Sequence, residues 1–202
     1  MAATDHWRPD LVFSGGDDCA FKLWDARGDC AAPAWADRRT HGAGVCCVAG
    51  SPHREHVVAT GSYDEKARLW DLRAPARPVL AAAVPAGGGV WRLKWHPSDP
   101  ALLLAACMHG GFAVLSASAA AAAGSGPGEA DGAPGAAAAA GLSVAEVYPE
   151  QQTLAYGADW CREVAADGTS IVASASFYDR QLHVWSPGLK AAATAAAEGA
   201  VT

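Results

Sequence analysis

Lysine and arginine are in the minority here: 15 against 21 aspartates and glutamates, a formal charge of −6 over 202 residues. That leaves too little positive charge for a nucleic-acid grip made by bulk electrostatics; it suits a soluble protein that meets a basic or cationic partner. No apolar run reaches the roughly 20 residues of a membrane-spanning helix, so no membrane association is expected. Met1 to Pro9 has no basic stretch followed by an apolar one, and no secretory signal is expected. The six cysteines form no C-x-x-C pair, and the adjacent Cys46 and Cys47 point to opposite faces of one strand. They read as reduced thiols of a cytosolic protein. Also missing are a G-x-S-x-G elbow, an H-E-x-x-H helix and a phosphate-binding P-loop. Cys107-Met108-His109 offers only two soft ligands, so no metal and no cofactor is expected. Hydrophobic residues make up 51% of the chain, but many are alanine; valine, leucine and eight tryptophans supply the usable core.

What is present is a repeat. Trp24-Asp25 and Trp70-Asp71 each end an alternating run, Phe21 to Trp24 and Ala67 to Trp70. The two tryptophans are 46 positions apart, and Leu115, ending Gly111 to Leu115, follows 45 later. Trp185 ends Gln181 to Trp185. The spacing matches the WD-repeat period of about 40–45 residues. Six positions before these four residues stand Asp18, Asp64, His109 and Asp179, each preceded by a strand of small residues. That order reads as strand, tight turn, strand. A third column, Val45-x-x-Val48, Val90-x-x-Leu93-x-Trp95 and Ala155-x-x-Ala158-x-Trp160, gives the innermost strands. The expected fold is an all-β, partial WD-repeat β-propeller of about three and a half four-stranded antiparallel blades.

The propeller is expected over residues 10–186, with units ending near 25, 71, 116 and 186. An N-terminal segment, 1–9, lies outside it. An Ala/Gly-rich insert, 117–141, and a tail, 187–202, read as flexible segments. The first unit is expected to lack its opening strand, because only ten residues precede Leu11, and the other three to be complete. A ring needs 4–8 blades, so the chain reads as the C-terminal portion of a longer protein or a truncated product.

His41, Ser62, Asp64 and Trp70 are placed to form the hydrogen-bonded tetrad common in such blades. The turn aspartate accepts from the histidine, and a strand hydroxyl carries the chain on to the tryptophan. Asp64 is equally an ordinary turn aspartate. The third unit departs from the pattern, with His109 for the aspartate and Leu115 for the tryptophan. His109 therefore has no blade-building duty; it is either functional or a solvent-exposed turn histidine. The charged turn Ser51 to His56 belongs to the opposite rim. The rim that carries the aspartate turns also carries the entries to the innermost strands, where Trp91 and Tyr156 occupy one column. Tyr63, Met108 and Tyr178 stand beside the aspartate column, and Glu65, Asp159 and Asp179 add negative charge. Aromatic faces with carboxylates suit a quaternary ammonium group; ordinary rim packing is the alternative.

Ser51-Pro52-His53-Arg54-Glu55-His56 and Ala59-Thr60-Gly61-Ser62-Tyr63-Asp64-Glu65 resemble a stretch of the diphthine methyltransferase family. These are WD-repeat proteins better described as diphthine methyl ester hydrolases. The likeness runs on through Gly89 to Pro97, Leu103 to His109, Tyr156 to Trp160, Ser176 to Asp179 and Leu182 to Trp185. It covers residues 10–186 apart from the insert. The resemblance implies a step in diphthamide synthesis on translation elongation factor 2. A modified histidine that carries a trimethylammonium and a methyl ester loses the ester methyl, giving diphthine and methanol. Direct attack by water is then expected, with His109 as base. Asp179 would orient His109 or help hold the cation. Trp91, Tyr156, Tyr63, Tyr178, Glu65 and Asp159 would hold the trimethylammonium. The competing class is a non-catalytic adaptor. Trp24-Asp25-Ala26-Arg27 and Trp70-Asp71-Leu72-Arg73 are W-D-x-R motifs that resemble those of substrate receptors for cullin-type ubiquitin ligases.

Overall fold

Short runs of apolar and small residues become strands, and interruptions rich in Gly, Asp, Ser and Pro become turns. The computed structural model describes residues 1–117, 141–150 and 153–189. Most of the Ala/Gly-rich insert, residues 118–140, and the tail from 190 onward lie outside them. The first sheet holds β1 (Ala2–Thr4), β2 (Leu11–Gly15), β3 (Phe21–Asp25) and β4 (Trp35–Asp37). The second holds β5 (Val45–Gly50), β6 (Val57–Ser62), β7 (Lys66–Asp71) and β8 (Val79–Pro85). The third holds β9 (Arg92–Trp95), β10 (Leu102–Ala106), β11 (Phe112–Ala117) and β12 (Leu142–Tyr148), and the fourth holds β13 (Ala155–Trp160), β14 (Val172–Ser176) and β15 (Leu182–Trp185). Strand order within every sheet follows the chain, and all pairs are antiparallel. No α-helix occurs among the described residues.

The sheet expected to be incomplete is the wrong one. Residues 1–9 are not a separate segment, because Ala2–Thr4 pairs with Val12–Ser14 as the opening strand of the first sheet. The fourth sheet is the three-stranded one among the described residues. The reason is visible in the turns that follow the inner strands. Asp5 Oδ1 accepts the N–H groups of Trp7 and Arg8 (2.8 and 2.7 Å). Ser51 Oγ accepts those of His53 and Arg54 (3.3 and 3.1 Å). His96 Nδ1 accepts those of Ser98 and Asp99 (3.2 and 2.9 Å). Three chemically different acceptors cap the same turn. Each lies six positions before the next strand residue, Leu11, Val57 or Leu102, whose carbonyl it binds through its own N–H.

Neighbouring sheets pack face to face through three apolar layers. The first contains Phe13, Phe21, Leu23, Val58 and Trp70. The second runs from Ala59 and Leu69 to Val90, Leu103 and Leu115. The third joins Leu104, Phe112 and Val114 to Trp160, Val172 and Trp185. Burying each large side chain contributes about 1.5–3 kcal/mol. The rim that carries the capped turns is also tied across blades. The Trp7 indole donates to Ser51 O (2.9 Å), and His53 Nε2 donates to His96 O (2.7 Å).

Candidate functional site

The opposite rim is built by one repeated backbone contact. The N–H that opens an inner strand donates to the strand-turn of the preceding blade: Val45 to Gly16 O (3.0 Å), Val90 to Ser62 O (2.9 Å) and Ala155 to Met108 O (3.0 Å). In the first two of these contacts the approach needs glycine in the strand below, whereas the third, where the incoming residue is the small Ala155, tolerates Ala106 there. A Cβ on Gly15 would meet Val45 Cγ1 at 2.5 Å, and one on Gly61 would meet Val90 Cγ1 at 2.4 Å. Just past the contact the inner strands bulge. Val45 pairs with Ser62 and Cys47 with Gly61, which leaves Cys46 outside the ladder. Ala155 pairs with Ser176 and Gly157 with Ala175, which leaves Tyr156 outside it. Trp91 holds the same position ahead of β9, its N–H on Ala106 O (2.9 Å). A bulge re-aims its extra side chain, so Cys46, Trp91 and Tyr156 come to the rim.

There the aromatic rings form a continuous row. Centroids lie 5.9 Å apart for Tyr63–Trp91, 5.2 Å for Trp91–Tyr156, 6.3 Å for Tyr156–Phe177 and 5.2 Å for Phe177–Tyr178. All four pairs meet edge to face. Trp91, Tyr156, Phe177 and Tyr178 line an open hollow of about 380 Å³. A second hollow of about 370 Å³ lies on the other side of Trp91, lined by Gly16, Asp17, Cys46 and Tyr63 among others. Two of these residues escape the sequence reading. Asp17 stands in the column of Tyr63, Met108 and Tyr178, directly before the turn residue, and that column would have found it. Phe177 lies one place further out, where no repeat position draws attention to it.

The acidic residues separate. Asp159 faces Lys94 across the third and fourth inner strands (2.9 Å) and is neutralised there; it lines neither hollow. Glu65 is exposed at its turn with φ 66° and gives its carbonyl to Ala86 N–H; it too lines neither hollow. Asp64, His109 and Asp179 do occupy matching turns, between β6 and β7, β10 and β11, and β14 and β15. No hydrogen bond joins His109 to Asp179. Asp179 Oδ1 is taken by the Ser176 hydroxyl and by Gln181 N–H, as a short turn carboxylate prefers its own backbone. His109 is exposed, and its ring lines neither hollow.

The tetrad differs from the one expected in its hydroxyl. The Trp70 indole N–H donates to Thr60 Oγ1 (2.9 Å), and His41 Nε2 lies 3.0 Å from the same oxygen. Ser62 instead donates to Ala43 O (3.0 Å). Strand register explains the difference. Trp70 pairs with Val58, and its diagonal neighbour on that face is Thr60; Ser62 lies two residues too far along. The first and fourth sheets repeat the arrangement, with Trp24 on Ser14 (2.8 Å) and Trp185 on Ser174 (3.1 Å). Asp64 does not reach His41. It binds Arg68 through both oxygens (2.9 and 2.6 Å) and accepts Gly42 N–H (2.8 Å). Burial would raise the Asp64 pKa, but Arg68 and the Gly42 N–H outweigh it and hold the carboxyl at about 2. Burial, with Arg68 nearby, pushes His41 down to about 4, so it is neutral at pH 7. In the third sheet every member is changed at once: Ala86, Ala105, His109 and Leu115 stand at the positions of His41, Thr60, Asp64 and Trp70. Ala86, Ala105 and Leu115 are fully packed into the second apolar layer.

Burial raises the rim thiols, Cys46 to about 11 and Cys107 to about 12, so neither is a ready nucleophile near pH 7. The W-D-x-R arginines fold back on their own motifs. Arg27 binds Asp25 and Arg73 binds Asp71, each at 2.6 Å.

The family model described as "WD domain, G-beta repeat" matches residues 37–71. A mouse protein named diphthine methyltransferase is 43% identical over 160 residues, 79% of this chain and 30% of its own length. A Dictyostelium discoideum diphthine methyltransferase homolog is 32% identical over 198 residues, 93% of this chain and 49% of its own. The chain thus spans between 30% and 49% of the length of these relatives. A chain in a solved mitotic checkpoint complex superposes with a TM-score of 0.63 at 21% identity, over 88% of this chain and 48% of that one; it shares the fold. Repeat architecture and sequence agree: the chain belongs to the diphthine methyltransferase family of WD-repeat proteins.

Proposed function

We propose that this chain carries part of a cytosolic site where the methyl ester of diphthine methyl ester, on translation elongation factor 2, is hydrolysed during diphthamide synthesis. The relatives' names support a methyl-modifying role in that pathway. The finer reading rests on the row of five rings from Tyr63 to Tyr178. A trimethylammonium has no N–H to donate, so a protein recognises it through aromatic faces and carboxylates. Trp91, Tyr156 and Tyr178 offer the faces, and Asp17, across Trp91, offers a carboxylate. In the reaction the oxygen of water bonds to the ester carbonyl carbon, and the C–OCH₃ bond breaks. The base takes the proton from water, and the methoxide leaves protonated as methanol. His109 is the proposed base: it is exposed on this rim and its ring has no hydrogen-bond partner among the described residues.

The test measures methanol release from methylated elongation factor 2 by the full-length family protein, and from an analogue that lacks the N-methyl groups. Each ring facing the cation contributes about 0.5–2 kcal/mol, so Trp91→Ala should weaken use of the methylated substrate about two- to thirty-fold. The analogue should be little affected; equal losses on both would remove Trp91 from the cation site. His109→Ala should lower turnover with little change in binding. Incorporation of methyl from a donor, with no methanol formed, would overturn the hydrolase reading. Binding without turnover would favour the adaptor.

A further inference from the structure

Arg92 opens β9, the innermost strand of the third sheet, and β9 packs between the inner strands β5 and β13 of the sheets on either side. Successive side chains of a strand face opposite ways. Leu93 and Trp95 are buried in the apolar layer against the second sheet, so Arg92 and Lys94 take the other face, toward the fourth. Lys94 is spent there on Asp159 (2.9 Å). Arg92 is exposed, and its guanidinium has no hydrogen-bond or ion-pair partner among the described residues. It lines neither hollow but directly follows Trp91, which lines both. The column it occupies is otherwise one of packing. Cys47 holds the same place on β5 and is 1% exposed, in the layer between the second and third sheets. Gly157 holds it on β13, where an added Cβ would have only Ala175 within 4 Å. A long cationic side chain thus stands beside a position that has no side chain, next to the Trp91–Tyr156 pair of rings 5.2 Å apart.

We propose that Arg92 holds the carboxyl end of a ligand whose trimethylammonium lies on Trp91 and Tyr156. The ligand class is a betaine, a quaternary ammonium with a carboxyl group close by. The aromatic rings suit only the cationic part of such a ligand. A guanidinium offers five N–H donors and no acceptor, in a fork that matches a carboxyl group. This assignment rests on the cation reading of the aromatic row and supplies the donor that reading lacks. With the ester bound, an Arg92 N–H donates to the carbonyl oxygen. Negative charge grows on that oxygen as water adds to the carbonyl carbon, so the contact strengthens towards the transition state. After methanol leaves, the same N–H groups hold the product carboxylate.

The experiment is calorimetric titration of the whole chain with three probes: tetramethylammonium, glycine betaine and acetate. Glycine betaine should bind about fivefold more tightly than tetramethylammonium, as an exposed ion pair allows. Arg92→Met should erase that preference and leave tetramethylammonium binding unchanged, whereas Arg92→Lys, which keeps the charge, should retain part of it. Equal affinity for the two cations, or a preference that survives Arg92→Met, overturns the proposal. The cation reading stands in that case if Trp91→Ala still weakens tetramethylammonium. Acetate binding that depends on Arg92, with tetramethylammonium ignored, overturns the cation reading and the betaine assignment with it, and so does a chain that binds none of the three. If circular dichroism shows that Arg92→Met does not fold, Arg92→Gln is titrated in its place.

Discussion

Thr60 is the residue on which the second blade's polar core turns, since it serves both Trp70 and His41. Thr60→Val keeps the shape but leaves a buried indole N–H without an acceptor, at a cost of about 1–3 kcal/mol. Ser62→Ala should cost less, because the Ala43 carbonyl it serves lies closer to solvent at the rim. Urea denaturation of the two variants checks the order, and a larger loss for Ser62→Ala would contradict the register argument. His41 makes the same core pH-sensitive. Its folded pKa of about 4 lies below the ordinary 6.5, because burial penalises the cation and Arg68 repels it. Between those values the unfolded chain binds the proton and the folded chain does not. Stability is therefore complete above about pH 6.5 and falls as the pH drops towards 4, by about 3 kcal/mol in all. Burial lowers His96 in the same direction. Melting temperatures from pH 8 to pH 4 should follow this slope, and His41→Gln should flatten much of it.

At the scale of the strand, the rim depends on how closely an inner strand approaches the turn of the preceding blade. Between neighbouring blades Gly61 is tighter than Gly15: a Cβ there would meet Val90 Cγ1 at 2.4 Å, Cys47 Sγ at 2.6 Å and Val90 O at 2.8 Å. The last of these is backbone and cannot rotate away. Gly61→Ala should cost about 3 kcal/mol through overpacking and should shift Trp91, which follows Val90 directly. Loss of stability together with a changed Trp91 fluorescence environment is the expected pair of signals. A variant with wild-type stability would show that the blade gap is wider than described.

Across the whole molecule the two inner sheets have neighbours on both faces, whereas the first and fourth each leave one face open. Repeat proteins derive much of their stability from such nearest-neighbour contacts. In this chain, amides of β14 and β15 should exchange with deuterium before those of β6, β7, β10 and β11. Uniform protection across all four sheets would contradict this. For the same reason the isolated chain should hydrolyse the ester far more slowly than a full-length relative. Methanol release by the two side by side is the check.

The architecture was legible in the chain: columns that recur every 45 to 46 residues through the first three units, with Trp and Asp in the first, second and fourth and Leu115 and His109 in the third, specify blades because each column falls at a fixed place in a strand or turn. The sequence also placed Trp91, Tyr156, Tyr63 and Tyr178 on one rim, since their columns adjoin the turns that build it. The opening strand Ala2–Thr4 was legible only in retrospect, because Asp5, Ser51 and His96 cap equivalent turns with three different chemistries and no residue type repeats. Tertiary structure alone decided the partners. Whether Thr60 or Ser62 serves Trp70 depends on strand register, and Lys94 neutralises Asp159 across two blades, 65 residues apart in the chain. Such contacts arise from packing one sheet on another, a distance that periodicity along the chain does not encode.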